Sequence, residues 1–288
     1  MMAPDLDQPL AELRLRDGLT MRYRDYPGAT AGRPPLLCLH GLTRNARDFA
    51  DLAARHAPRF RVIAPDFRGR GASDFDPVPT RYNPLTYAGD VIQMLDQLAI
   101  PQAIFVGTSL GGLVTMAIAA TAQKRIAGSI LNDVGPELSQ DGLDRIAAYV
   151  GKDVRFKSWD EAAAAIADNH DHIPTSFRRS DWLAMARRLC RERSGFVVYD
   201  YDMAIALLFA SAGPTPRVDL WPLFKALAKT PLLIIRGERS DLLSEAAVER
   251  MKRAAPDASF TTVAGAPHPP TLNEPEAIAA VDAFLARF

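Results

Sequence analysis

Short apolar runs recur along the chain and alternate with longer stretches whose apolar residues fall at helical spacing. Leu36-Leu37-Cys38-Leu39-His40, Phe60-Arg61-Val62-Ile63-Ala64 and Ala103-Ile104-Phe105-Val106 read as strands, as do residues 125–131, 231–237 and 259–263. Helices are expected over 46–56, 84–98, 111–124 and 275–288. Strands that are apolar on both faces must be covered on both faces. The alternation therefore predicts a mainly parallel sheet between two helical layers. Ahead of it, two alternating runs within residues 10–26 flank Asp17-Gly18, a hairpin turn signal, and predict an antiparallel edge.

Between residues 136 and 227 the rhythm changes. Helical patterns run through 143–150, 159–169, 177–193 and 203–212, and no strand is evident. Such an insert would sit above the carboxyl ends of the strands, where open parallel sheets bind ligands. The expectation is a core domain of residues 1–135 and 228–288 with a helical cap, 136–227, inserted into it.

Composition narrows the function. The 288 residues are 48% hydrophobic and carry 34 basic and 34 acidic side chains, enough for a sizeable core. Zero net charge gives no footprint for nucleic acid. Cys38 and Cys190 fit neither a disulfide framework nor a metal site. No signal peptide or membrane-length apolar run is evident, so a cytoplasmic protein, monomer or homodimer, is expected. His170 and His172 flank Asp171, but i and i+2 diverge on a helix, and no metal is assigned there.

The chemistry centres on Gly107-Thr108-Ser109-Leu110-Gly111, a Gly-x-Ser-x-Gly pattern between a predicted strand and a predicted helix. A serine at such a turn is pushed out of the sheet with its hydroxyl exposed. It needs a base, usually histidine, held by a carboxylate. Of the five histidines, His268 in Gly265-Ala266-Pro267-His268-Pro269-Pro270 follows the last strand and is the expected base. His40 is expected to be structural. Asp241, after the strand ending at Gly237, is the expected acid; Asp133 is its rival after the preceding strand, Glu238 is third, and geometry must decide. The oxyanion donors expected by position are the backbone N–H groups of Leu110 and Leu42.

With these residues in order, the chain resembles the α/β-hydrolase fold family. The resemblance is carried by His40-Gly41, the stretch from Asp66 to Asp74, Gly107 to Gly112, Asp241 and His268. It implies an eight-stranded sheet, a helical cap after strand six and a Ser-His-Asp triad, with Asp66 to Asp74 a structural loop after strand four. A serine nucleophile disfavours the dehalogenase and epoxide-hydrolase branches, which carry Asp there. Carbon–carbon hydrolases share the layout, but commonly have an aromatic residue after the histidine, where this chain has Pro269. The expected substrate is a small hydrophobic carboxylic ester or lactone, cleaved through an acyl-enzyme without metal or organic cofactor. Carbon–carbon hydrolysis is the alternative, followed by acyl transfer and a ligand receptor. Trp159, Trp182 and Phe209 in the cap are candidates for lining its pocket. Arg44 stands between a loop salt bridge and a contact to a substrate carboxylate.

Overall fold

The computed structural model describes residues 9–28, 32–168, 177–207 and 218–288. An eight-stranded sheet runs in the order β1-β2-β4-β3-β5-β6-β10-β11. These are Leu10–Arg14, Thr20–Tyr26, Val62–Pro65 (β4), Leu36–Leu39 (β3), Ala103–Thr108, Ile126–Asn132, Leu232–Gly237 and Ser259–Val263. β1 and β2 form the predicted hairpin, β2 pairs antiparallel with β4, and every other pairing is parallel.

The apolar runs divide by strand period. Leu37, Leu39, Ala103, Phe105, Leu232 and Ile234 enter one core; Leu36, Cys38, Ile104, Val106, Leu233 and Ile235 enter the other. Helices α2 (Pro84–Gln97), α3 (Leu110–Ala122), α7 (Trp221–Leu227) and α8 (Glu245–Ala254) contribute to the first core. Helices α1 (Ala50–His56) and α9 (Pro275–Leu285) contribute to the second. Local signals start these helices. Asn83 accepts from Thr86 N–H at 3.0 Å with Pro84 behind it, and Ser244 accepts from Ala247 N–H at 3.1 Å.

The segment between β6 and β10 departs from the all-helical expectation. It holds α4 (Gln140–Tyr149), α5 (Trp159–Asp168) and α6 (Arg179–Leu189). It also holds a three-stranded antiparallel sheet of β7 (Arg155–Phe156), β8 (Cys190–Arg193) and β9 (Phe196–Tyr199). The helix expected over 177–193 stops at Leu189. The chain turns at Ser194-Gly195, both at positive φ (51° and 80°), and returns through the β-branched pair Val197-Val198. Hydrogen bonds dock this segment on the loop after β4: Gly71 N–H donates to Asp200 C=O (3.0 Å), Asp202 N–H to Gly69 C=O (2.7 Å) and Tyr82 Oη–H to Asp202 (2.6 Å).

One close approach sets the centre of the sheet. A Cβ on Gly111, in the first turn of α3, would stand 2.0 Å from the Leu39 carbonyl oxygen of β3. Backbone on both sides cannot yield. Gly111→Ala is therefore expected to cost about 3 kcal/mol or more, read as a fall in the thermal unfolding midpoint or as insoluble protein. An unchanged midpoint would contradict the contact.

Candidate active site

Ser109 joins β5 to α3 with φ 50° and ψ −114°, a strained conformation for a residue with a side chain. It holds the cap position of α3, yet its hydroxyl caps nothing. Instead Oγ lies 3.0 Å from His268 Nε2, and His268 Nδ1 lies 2.8 Å from Asp133 Oδ2. An ionised carboxylate only accepts, so Nδ1 carries the proton and Nε2 is left to accept from the serine. The imidazole is 5% exposed and the Asp133 carboxylate 0%.

Asp133, not Asp241, thus meets the histidine. Asp133 directly follows β6, with its N–H on Ile235 C=O (2.8 Å) and its other oxygen accepting from Gly237 N–H (3.0 Å). Asp241 lies beyond the turn after β10, and its carboxylate is taken by the Arg145 guanidinium of α4, Nη2 donating to Oδ1 at 2.9 Å and Nε to Oδ2. Burial pushes the Asp241 carboxyl upward, but the Arg145 bonds and charge outweigh it and hold it below the usual carboxylate range. Glu238 accepts from Gly265 N–H at 2.6 Å and braces the loop ahead of His268.

Leu110 opens α3, so its N–H is among the donors that a helix start leaves unpaired. Leu42 and Gly41 border the same space as Ser109. His40 orients their shared peptide: Nδ1 donates to Gly41 C=O at 2.7 Å while Nε2 accepts from Phe67 N–H at 3.0 Å. The next peptide is held by the buried Arg70, whose Nε donates to Leu42 C=O at 2.9 Å. Arg70 also donates to Tyr87 Oη (2.6 Å) and stacks on the Tyr87 and Tyr82 rings. Arg68 pairs with Asp17, Asp76 and Asp90, so the charges of the 66–74 loop are structural. Asn132 was not singled out by the sequence. Its amide donates to Thr108 Oγ1 (3.2 Å) and Pro270 C=O (2.9 Å), joining the serine turn to the histidine loop.

A cavity of about 190 Å³ opens over Ser109 and His268. Leu42, Ile146, Val154, Ile166 and Leu189 give it apolar walls, and Tyr149, Tyr199 and Tyr201 add rings. Trp159 and Trp182 are not on this wall. They pack against the insert's own core of Phe156, Ala162, Ile166 and Val197, with Trp159 Nε1 donating to Glu192 (2.7 Å) and Trp182 against Phe177. Indole rings of this size are satisfied by that packing. Phe209, like His170 and His172, lies outside the described residues. Arg44 lines the cavity but forms the loop salt bridge, with Nε and Nη2 on Asp48 at 2.6 and 2.8 Å. Arg145 and Lys152, which the sequence did not single out, line it too. The only sequence signal was that Arg145 and Tyr149 share a face of a predicted helix four residues apart.

The alpha/beta hydrolase family model matches residues 36–281, and the chain belongs to that family. It is a hydrolase of the α/β fold. It is 32% identical over 276 residues to a 3-hydroxybutyrate-oligomer hydrolase of Cupriavidus necator, covering 92% of each chain. It is also 32% identical over 239 residues to a 2-(acetamidomethylene)succinate hydrolase of Mesorhizobium japonicum, covering 82% of this chain and 81% of the relative. A crystal structure of an alpha/beta hydrolase from Novosphingobium aromaticivorans superposes with a TM-score of 0.92 at 45% identity, covering 97% of this chain and 98% of that one. Among the described residues no helix is long and apolar enough to cross a membrane.

Burial drives the pKa of His40 down to about 3, whereas an exposed histidine titrates near ~6.5. Between these values the unfolded chain takes a proton that the folded chain refuses. The sign follows: stability falls as pH drops through this window, by up to about 1.4 kcal/mol per pH unit. His40→Gln is expected to flatten the slope of unfolding free energy against pH between about pH 6 and pH 4. Denaturant titrations across that range check this, and equal slopes would contradict it.

Proposed function

We propose that the protein hydrolyses carboxylic esters of small substrates, with Ser109 as nucleophile, His268 as general base and acid, and Asp133 as the residue that holds His268. The observation that carries this reading is the unbroken relay from Asp133 through His268 to the Ser109 hydroxyl, opening onto a cavity with apolar walls. The relative named for 3-hydroxybutyrate oligomers adds support, because such oligomers are joined by ester bonds and the likeness extends over 92% of both chains.

In the first step Ser109 Oγ bonds to the acyl carbon while its proton passes to His268 Nε2. The carbonyl oxygen becomes an oxyanion in the space facing the Leu42 and Leu110 N–H groups, each worth about 3 kcal/mol to the transition state. The C–O bond to the alcohol then breaks, and the alcohol leaves with the His268 proton. Water gives a proton to His268, attacks the acyl-enzyme and releases the acid, and Ser109 regains its proton. Asp133 stays ionised throughout and steadies the imidazolium. In this reading residues 136–227 act as a cap that supplies most of the cavity wall and selects what reaches Ser109.

A second reading is favoured by the relative that acts on 2-(acetamidomethylene)succinate, equal in identity but over a shorter span. There the same residues would hydrolyse a bond other than a simple ester.

On neutral p-nitrophenyl esters of increasing acyl length, Ser109→Ala is expected to abolish turnover above background. Asp133→Asn should lower kcat by about 10⁴-fold, because an amide partner imposes the wrong tautomer on His268. Asp241→Asn should cost far less. Steady-state kinetics of the three variants decide the assignment: a larger loss in Asp241→Asn than in Asp133→Asn returns the acid role to Asp241, and turnover surviving in Ser109→Ala removes the mechanism.

A further inference from the structure

The charged side chains that line the cavity beside His268 are Arg44, Arg145 and Lys152, and no acidic side chain lines it among the described residues. This is a local excess in a chain whose basic and acidic side chains balance at 34 each. The three cations differ in what they have left to offer. Arg44 is locked by two hydrogen bonds to Asp48, four residues on. Arg145 spends Nε and Nη2 on Asp241, which leaves Nη1 with two N–H donors and no partner among the described residues. Lys152 is exposed and has no ion-pair partner among the described residues.

A two-point grip on Arg145 also fixes the plane of its guanidinium, since the fork geometry of Arg and carboxylate is rigid. Asp241 is therefore a positioning residue for a cation, and it comes from the core while the cation comes from the insert. A half-buried arginine held this way, lining the same cavity as an ammonium with no ion-pair partner among the described residues, is a ready site for an anion.

We infer that the cavity recognises esters bearing a free carboxylate, with Arg145 and Lys152 as the carboxylate-binding pair and Asp241 aiming Arg145. The inference rests on the ester reading above and deepens it by naming the substrate class. Neutral esters of the same size would lack the second anchor. The cavity of about 190 Å³ is many times the space a single water needs, so an ester and its carboxylate fit in it together.

The carboxylate can stand on the acyl or the alcohol side, and two pairs of esters separate these. Mono-p-nitrophenyl adipate against its methyl ester places the charge on the acyl side. 3-(Butanoyloxy)butanoate against its amide places it on the alcohol side. In wild type, kcat/KM is expected to favour the anionic member of at least one pair by about tenfold or more, mainly through KM. Lys152→Glu should reduce that ratio by a similar factor, each neutral ester serving as the internal reference. Arg145→Gln should do the same. Ratios near one in both pairs, or a ratio that Lys152→Glu leaves unchanged, would overturn the carboxylate site while leaving ester hydrolysis in place. A binding arm reads the site without turnover: Ser109→Ala protein is titrated calorimetrically with monomethyl adipate and with dimethyl adipate. If no ester is cleaved but the monoanion binds preferentially and loses that preference in Lys152→Glu, the ester reading falls and the carboxylate site stands. Equal binding of the two, or binding of neither, overturns the site.

Discussion

The contact between Gly111 and the Leu39 carbonyl is the constraint from which the site follows. Helix α3 can start so close to β3 only because no side chain intervenes. Its first residues must then leave β5 abruptly, and Ser109 takes up the positive φ that this turn demands. The strain does not fall on an idle residue. It lifts the hydroxyl clear of the sheet, leaves it unused as a helix cap, and sets the Leu110 N–H beside it. The neighbouring strands deliver the rest. β6 leads straight into Asp133, the loop after β11 carries His268, and β3 runs into the Gly41-Leu42 peptide.

Around this centre the polar side chains divide into those that hold backbone and those that face the cavity. His40, Arg70 and Asn132 spend their hydrogen bonds on carbonyls and amides of the loops bearing Leu42 and His268. None of the three lines the cavity; they bear on it through the peptides they orient. Arg145 and Lys152 face the open space. The insert contributes these two and most of the apolar wall. The strand ends and the loops after them thus bring Ser109, His268 and Asp133 together, and the segment between β6 and β10 supplies most of the surrounding wall.

Most of the frame was legible in the sequence because it is written in local pattern. Apolar runs bounded by turns gave the strands, and the Gly-x-Ser-x-Gly turn needed only its neighbours to be recognised. Which carboxylate meets His268 was not legible, and the reason is geometric. β6 and β10 are adjacent and in parallel register, Asn132 beside Ile235, so Asp133 and Asp241 both emerge near His268. Chain order does not say which carboxylate an arginine from elsewhere will claim. Arg145 claims Asp241, and it belongs to the part of the chain with the weakest pattern. The hairpin at Ser194-Gly195 was missed there too, since its first strand, Cys190–Arg193, continues a run of helix-forming residues. Trp159 and Trp182 misled for a related reason: an aromatic side chain is equally at home in a pocket wall and in the small core of an insert.

The hydrogen bond from Gly237 to the Asp133 oxygen that His268 does not use ties this carboxylate to β10. It also makes the Gly237 amide a built-in gauge. That N–H meets the carboxylate oxygen that the imidazole leaves free, and Gly237 is not among the residues lining the cavity over Ser109. Its nitrogen and proton resonances should therefore report whether the Asp133 carboxylate keeps its charge, read from a backbone atom outside the contacts among Ser109, His268 and Asp133.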